Sequence, residues 1–330
     1  MPGNWLVETG YAGNKGTRLP VGRQFNQLDP IYQALGADLN RLVPNPFFGL
    51  VTNGPLAART VAQSQLLRPF PQYTAVNATG SPAVAQNAGS SIYHSMLVRV
   101  EKRFSQGINL LVSYTGSKLI DDASGRIFGI NGNPPPVQNN YDLRAERSVS
   151  EADVARRLVV SHTIDLPFGK GRKFLSGSPV VVNQIVGGWS ASGFATYSSG
   201  VPLALSSTGN SGVGSGVLRP NSTGKSAKLE GDPQTRLAKY FDTAAFTVPS
   251  PFTFGNVSRT LPNVRAPARV NYDLALSKAF SVREPLSLLF RAEAFNLTNT
   301  PYFLSPGLAL GTGTFGVISG ALGERQIQFR

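Results

Sequence analysis

Residues 93–104 read Tyr-His-Ser-Met-Leu-Val-Arg-Val-Glu-Lys-Arg-Phe, and apolar and polar side chains alternate along most of them. Successive side chains of a β-strand point to opposite faces, so this period-two pattern predicts a strand with two different faces. The apolar face carries Met96, Val98, Val100 and Phe104. The opposite face carries Ser95, Arg99, Glu101 and Arg103. Ionised groups in the middle of a strand need water or partner charges, so the second face does not belong to a dry core.

Seven more segments repeat this alternation. They lie at 4–12, 108–117, 157–166, 188–198, 269–280, 286–296 and 324–330. The chain has 330 residues, of which 35 are Gly and 24 are Pro, and this content suits the turns and loops between strands. We therefore predict an all-β chain of about eight antiparallel strands, each about ten residues long.

Alternation alone leaves two architectures open. In a soluble β-sandwich, the apolar face is the core and the polar face meets water. In a transmembrane β-barrel, the apolar face meets lipid and the polar face lines the lumen. The connections help to separate the two cases, because loops longer than about 15 residues are uncommon in compact soluble domains.

Long and short connections alternate along this chain. The short ones, Ser105-Gln106-Gly107 and Ser281-Val282-Arg283-Glu284-Pro285, are typical of periplasmic turns, and the long ones of extracellular loops. The link 168–187 is long for the turn side and is the weakest part of this pattern. Within the long links, segment 199–225 is either an outer loop or a disordered linker. The pattern favours an antiparallel transmembrane β-barrel with long extracellular loops, and a secreted or surface β-sandwich adhesin is the alternative.

Composition excludes several function classes. The absence of Cys excludes a disulfide framework, a thiolate metal site and a cysteine nucleophile. The two histidines, His94 and His162, lie far apart in sequence, which argues against a histidine metal centre. The net charge of +13 comes from scattered Lys and Arg, which argues against a nucleic-acid partner. No catalytic set of side chains is discernible, so we predict no enzymatic activity and no cofactor.

Two groups of residues are candidates for functional roles. The charged group would form a ladder on the lumen face, either as structural pairing in the wall or as a substrate path: Arg99, Glu101, Arg103, Arg291 and Glu293. The aromatic group fits girdles at the membrane interfaces, or else the core of a sandwich: Tyr114, Trp189, Tyr197 and Tyr272. In addition, Asp121-Asp122 begins an expected external loop and is either a solvated turn or a contact for a cation.

Several short sequence motifs, spread over nearly the whole chain, match a known family in their order and spacing. They include Tyr11-Ala12-Gly13-Asn14-Lys15-Gly16-Thr17-Arg18-Leu19-Pro20, Leu66-Leu67-Arg68-Pro69-Phe70-Pro71, Leu166-Pro167-Phe168-Gly169-Lys170-Gly171, Tyr240-Phe241-Asp242-Thr243-Ala244-Ala245-Phe246 and Arg291-Ala292-Glu293-Ala294-Phe295-Asn296. In these motifs the chain resembles the C-terminal barrel region of the TonB-dependent outer-membrane receptors of the Oar-like type. The resemblance implies a barrel of about 22 strands, plugged by an N-terminal domain and energised through the TonB complex of the inner membrane.

The sequence departs from such a receptor in extent. Residues 1–330 contain no recognisable signal peptide, TonB-contacting segment or plug, so we expect a fragment, the C-terminal portion of a larger barrel. The alternative is a self-sufficient barrel of eight strands, which is a known closed form. The resemblance implies uptake of a large or scarce nutrient at the cell outer membrane of a Gram-negative-type bacterium. Its partners would be outer-membrane lipid, the TonB complex (through the missing plug) and an unidentified substrate. The links 14–91, 119–155 and 199–268 would contact that substrate.

Overall fold

The computed structural model describes residues 4–78, 86–123, 137–209, 216–283 and 286–330. One antiparallel sheet is its main element, and eight of its strands follow each other in chain order. We number them β1 to β8: Trp5–Val21, Gln86–Ser105, Ile108–Asp121, Arg156–Asp165, Trp189–Ser198, Arg269–Arg283, Leu286–Phe295 and Gln326–Phe329. The prediction of an all-β antiparallel chain with about eight strands is confirmed. The predicted length of about ten residues is wrong for β1 and β2, which have 17 and 20 residues and run well past 4–12 and 93–104. It is also wrong for β3 and β6, with 14 and 15 residues, and for β8, with four.

Each strand pairs with the next one along the chain, so the sheet is a meander. A two-residue strand, Ser148–Val149, adds a ninth member by pairing with the end of β3. The outermost strands are β1 and β8. Within the described residues no strand ladder joins these two edges, so the sheet is open there and does not form the alternative, a self-sufficient barrel of eight strands.

The register brings the apolar faces of neighbouring strands into line. A single row of directly paired residues crosses six strands and contains Val7, Val100, Val112, Val160, Ala195 and Tyr272. On β6 to β8 the row of Leu274, Ala294 and Ile327 continues the same face. A slip of one residue in any strand would have moved its apolar set to the other face. The sheet therefore has one continuous apolar face and one largely polar face.

Consecutive antiparallel strands place their connections at alternate ends of the sheet. One end, which we call the turn end, holds Gln106-Gly107, the connection 166–188 and residues 284–285, which lie outside the described part of the chain. Gln106 and Gly107 both have positive φ, as the two central residues of a tight hairpin turn require. The turn predicted at Ser105-Gln106-Gly107 is confirmed. The turn predicted at 281–285 falls partly on β6, which continues to Arg283, and partly on the undescribed residues.

The opposite end, the loop end, holds the connections 22–85, 122–155, 199–268 and 296–325. Their described residues form short 3-10 helices at Pro30–Asn40, Gly54–Leu56, Leu143–Glu146, Pro233–Arg236 and Thr243–Ala245. They also form strands of two or three residues at Arg23–Gln24, Leu42–Pro44, Thr60–Ala62, Asn77–Ala78, Ser206–Ser207, Asn221–Ser222, Phe246–Thr247, Tyr302–Phe303, Ala309–Leu310 and Ala321–Leu322. The α-helices are Gln63–Leu66 at this end and Val180–Val186 at the turn end. Among the described residues, neither helix approaches the length and apolarity needed to cross a membrane.

The buried core lies in the loop-end connections, whose described residues we call the loop cap. The largest cluster surrounds Phe241, which is fully buried between Phe246 and Phe315. A smaller cluster packs Leu28 and Leu39 of the first connection against aromatic residues of the third. The described parts of segment 199–225 contribute buried leucines to the cap, so they form a packed loop and not a disordered linker.

Candidate functional site

The charged residues predicted for the lumen face lie on the polar face, in two separate clusters. In the first, at the β1–β2 edge, Arg99 bridges Glu101 (2.8 Å between Nη2 and Oε2) and Glu8 (3.0 Å between Nη1 and Oε2). Arg103 Nε lies 3.5 Å from the other oxygen of Glu101. Glu8 was not predicted as a member, because its place opposite Arg99 depends on the register between β1 and β2. Arg99 and Glu8 are about half exposed, and Glu101 is 22% exposed. The exposed pair of Arg99 with Glu8 contributes only about 0.2–1 kcal/mol to stability.

The second cluster lies at the other edge of the sheet. Arg291 Nη2 is 2.6 Å from Glu293 Oε1, and Gln328 Nε2 of β8 donates to the other oxygen of Glu293 at 2.6 Å. Arg330 approaches the same carboxylate at 3.8 Å. Glu293 is thus the centre of the β7–β8 cluster. The structure brings Arg99, Glu101 and Arg103 together, and Arg291 and Glu293 together, but it does not join the two groups.

Small hydroxyl side chains occupy the polar face between the two clusters. Thr163 and Ser192 are hydrogen-bonded across β4 and β5 at 3.2 Å. Beside the first cluster, a cavity of about 200 Å³ is lined by Arg99, Glu101, Asn109 and Thr163, among others. A guanidinium, a carboxylate, an amide and a hydroxyl meet there. This lining can exchange hydrogen bonds with a hydrated polar ligand.

The predicted aromatic residues all lie on the apolar face, at two heights. Tyr114 and Tyr197 are both paired with Leu158. Tyr272 is paired with Ala195, which is two residues further from the loop end than Tyr197. The hydroxyl of Tyr272 is hydrogen-bonded to His162 Nε2 at 3.0 Å. This contact crosses Gly193, where a Cβ atom would lie 2.3 Å from the imidazole, so only glycine leaves room for it. His162, which is awkward on an apolar face, thereby obtains a polar partner.

Trp189 lies at the opposite, turn end of the apolar face. Its ring packs edge-on against Phe290 with centroids 5.9 Å apart, and the Lys278 ammonium lies 5.6 Å from its centroid. Its indole N–H donates to the carbonyl of Ile185 at 2.9 Å. Aromatic side chains with a polar tip therefore mark both ends of the apolar face.

Buried arginines hold the loop cap together, and sequence reasoning did not identify them. Arg259 donates to the Asp121 carboxylate, to the carbonyl of Glu146 at 2.9 Å and to Glu151 at 3.5 Å. Arg219 reaches Glu146 at 3.4 Å, with both side chains almost fully buried. These bonds tie the connection 199–268 onto the connection 122–155. The available signal is that Arg219 and Arg259 stand singly among apolar, Pro, Ser and Thr neighbours, away from other charges.

A third arginine repeats this arrangement. Arg265 donates to the carboxylate and the carbonyl of Asp153, and to the carbonyl of Gly200 at 3.1 Å. Burial lowers the pKa of the Arg219 guanidinium, Glu146 opposes that shift, and Arg259 adds to it.

The predicted pair Asp121-Asp122 is occupied by protein contacts. Asp121 accepts hydrogen bonds from Arg259, and Asp122 accepts hydrogen bonds from the backbone and hydroxyl of Ser90. Asp121-Asp122 is thus neither a solvated turn nor, in its present contacts, a pair open to a cation.

A larger cleft, of about 430 Å³, lies where the loop cap meets the loop end of β5 and β6. Its lining includes Glu151, Ser199, Arg269 and Tyr302. The Arg269 guanidinium lies over the Tyr302 ring, 4.2 Å from its centroid, and donates to its hydroxyl. Charged, hydroxyl and aromatic groups converge on one concave surface, and polar groups placed in a cleft fix the orientation of a ligand.

The chain is similar in sequence to one known family and in structure to a solved outer-membrane protein. The sequence profile of the family described as outer membrane beta barrel domain matches residues 1–328. No curated protein matches the sequence. Among solved structures, the outer membrane transporter YddB from Escherichia coli aligns with a TM-score of 0.44 and 8% sequence identity. That alignment covers all of this chain and 30% of the transporter, so the chain spans about a third of the transporter's length.

Proposed function

The chain belongs to the outer membrane beta barrel domain family, and we propose that it forms part of the wall and outer loops of a TonB-dependent nutrient transporter. Its location is the outer membrane, as the sequence predicted. The proposal concerns what the chain does there, which we infer to be transport without enzymatic chemistry. In this role the strands separate lipid from a polar lumen, and the loop cap contacts the substrate.

The observation that carries the proposal is the two-faced sheet. Eight aligned strands give a continuous apolar face on which large side chains stay exposed, including Met96, Phe104 and Leu288. The opposite face carries both charged clusters and the hydroxyl residues between them. An apolar face of this extent is stable against lipid, while the polar face suits a hydrated passage.

The connections orient the sheet in this proposal. Outer-membrane barrels have short periplasmic turns and long extracellular loops. The loop end, with the loop cap and the cleft at Arg269 and Tyr302, then faces the outside. A nutrient would meet the cleft first and the cavity beside Arg99 and Glu101 later, which makes the Arg99 cluster part of the substrate path as well as of the wall.

The open edges of β1 and β8 support the expectation of a larger barrel. An unpaired strand edge exposes a row of backbone N–H and C=O groups, which lipid cannot satisfy. Within the described residues those edges are unpaired, so further strands are needed to complete the wall. We propose that residues 1–330 are the C-terminal portion of a barrel of about 22 strands. The partners of the whole protein would be membrane lipid, the substrate and the TonB complex, which would act through an N-terminal plug.

The β-sandwich adhesin is less consistent with these strands. A sandwich needs a second sheet packed on the apolar face of the first. The additional sheets among the described residues have two strands each and are built from connection segments. Folding in detergent but not in plain buffer is the expected behaviour of the wall. Reversible folding to a soluble monomer in plain buffer would instead establish the sandwich.

A test of uptake driven by the proton gradient requires cells that produce the intact protein. We would follow the accumulation of fluorescent oligosaccharides, peptides and ferric chelates that are too large for porins, with and without a protonophore. Uptake of one class that needs the protein and stops when the proton gradient collapses is the expected result. Protein-dependent uptake that persists without the gradient would show a passive pore and contradict TonB dependence. The reading frame upstream of Met1 gives an independent check, since it should encode a plug domain.

A further inference from the structure

The connection 166–188, which we call the foot, is the anomaly of the turn end. Hairpin turns on this side of a barrel are short, as at Gln106-Gly107, but the foot contains a helix, Val180–Val186, and two further turns. A long connection at this end does not contribute to the loop cap. Its length therefore calls for a separate physical explanation.

The foot exposes most of its large apolar side chains. Val180, Val181 and Ile185 of the helix are 71%, 68% and 66% exposed. The preceding segment adds further exposed apolar groups at Phe168, Phe174 and Leu175. A helix of seven residues is unstable in water unless its apolar side chains are packed against something, and here they point outward. Exposed apolar clusters of this kind mark contact with a partner or with a membrane.

The attachment of the foot shows on which side of the sheet it lies. The last helical carbonyls, of Gln184 and Ile185, accept hydrogen bonds from Lys278 Nζ, and Trp189 Nε1 also donates to Ile185. Trp189 and Lys278 are paired residues of the apolar face, so the helix C-terminus is anchored on that face. Within the foot, Asn183 Oδ1 accepts the backbone N–H of Lys170 at 2.6 Å, which fixes the helix to the first turn.

The charges of the foot are basic and lie beside its apolar groups. Lys170, Arg172 and Lys173 are exposed. Arg172 is 3.3 Å from Asp165, while Lys173 lies over the Phe174 ring at 5.4 Å from its centroid. Exposed apolar side chains with adjacent Lys and Arg are the composition of segments that lie in the boundary between acyl chains and phosphate head groups.

We propose that the foot is a membrane-interface anchor that inserts its apolar side chains into the phospholipid leaflet at the turn end, with its basic residues at the phosphates. The occupant is lipid because the foot continues the apolar face of the sheet through Trp189 and Lys278. The inference rests on the proposed function, in which that face meets lipid. It adds a second contact with the same membrane, which would fix the height and tilt of β4 and β5 at the turn end.

These 330 residues contain no Cys, so single-cysteine variants of the intact protein give a direct test once any cysteine outside them has been replaced by Ser. Ile185→Cys places an environment-sensitive fluorophore on the foot. Ile31→Cys is the matched control in the loop cap, since Ile31 is 74% exposed there. Leu288→Cys, at a site 62% exposed on the apolar face, reports on the wall. Each labelled protein is reconstituted in phosphatidylethanolamine–phosphatidylglycerol vesicles, and quenching by nitroxide lipid is compared with quenching by aqueous iodide.

The probes at Ile185 and Leu288 should lose most of their fluorescence to nitroxide lipid, while the probe at Ile31 should be quenched by iodide only. Lipid quenching at Leu288 with iodide quenching at Ile185 would overturn the foot proposal and leave the wall intact. A probe at Ile185 protected from both quenchers would also overturn it, because protein would then cover the foot. Absence of lipid quenching at Leu288 would overturn the wall itself. Val181→Cys repeats the measurement if the Ile185 variant does not fold.

Discussion

The sheet exposes its large apolar side chains, whereas the loop cap buries them. On the sheet, Phe104 and Phe329 are 59% and 70% exposed. In the loop cap, Phe241, Leu28 and Leu39 are completely buried. The regular secondary structure therefore lacks a core of its own, and the irregular connections contain one.

Charged side chains differ between the two regions in the same sense, with exposed pairs on the sheet and buried pairs at the cap. Arg99 and Glu8 of the sheet are about half exposed, whereas Arg259 of the cap and Asp121 at the loop end of β3 are nearly fully buried. This difference teaches that the two regions are adapted to different solvents. The cap folds as a water-soluble unit does, by burying apolar groups and pairing charges. The sheet leaves one face for lipid, and the backbone groups of its inner strands are satisfied by the strand ladder.

The largest effect is expected from Phe241→Ala in the core of the cap. Phe241 packs against Phe246 and Phe315 with ring centroids 6.0 and 5.2 Å apart, so the change leaves a cavity and costs about 3–5 kcal/mol. Hydrogen exchange of the reconstituted protein should accelerate in cap peptides and not in strand peptides. Phe104→Ala is the matched control, and it should leave exchange in the cap unchanged. Equal effects of the two variants would remove the distinction between cap and wall.

Asp121→Ala tests whether buried pairing holds the outer connections together. Removal of this carboxylate leaves the Arg259 guanidinium buried without its closest counter-charge, which costs about 3–5 kcal/mol. Limited proteolysis should then cut the connections 122–155 and 199–268 faster. Replacing both partners, Asp121→Leu with Arg259→Met, should restore much of the protease resistance. A double variant as sensitive as the single one would show that other contacts dominate.

Val100→Arg tests the apolar face at a position where Val7 and Val112 are its direct neighbours. An arginine on the lipid face costs from about 1 kcal/mol near the interface to about 2–4 kcal/mol at the bilayer midplane, and urea unfolding from vesicles would detect this cost. Ser113→Arg, on the opposite face, should change the unfolding free energy far less. A larger cost at Ser113 than at Val100 would mean that the two faces have been assigned the wrong way round.

The smallest effect is expected from Glu8→Ala in the Arg99 cluster. Arg99 keeps Glu101 as a partner, and the lost pair is about half exposed, so the unfolding free energy should fall by less than about 1 kcal/mol. The same urea titration measures it. A loss as large as that of Asp121→Ala would show that the cluster is buried by parts of the barrel outside this chain.

Much of the wall was predictable because its evidence is local. Arg99, Glu101 and Arg103 were assigned to the polar face from alternation alone, and Tyr114, Trp189, Tyr197 and Tyr272 to the apolar face, and the structure places them there. The alternation could not specify Glu8 as a partner of Arg99, since cross-strand contacts depend on register. It also could not reveal that the polar-face charges are divided between two edges.

The sequence by itself determined the strands, their two faces and the alternation of connection lengths, because side-chain direction in an extended chain has a strict period of two. Only the tertiary structure decided the contacts of the connections. Arg259 meets Asp121 across 138 residues, and no local pattern encodes a partner at that distance. The position of the foot was decided in the same way, because its helix depends on Lys278 and Trp189 from neighbouring strands. Local periodicity specifies which face a residue occupies, and long-range packing specifies what that residue touches.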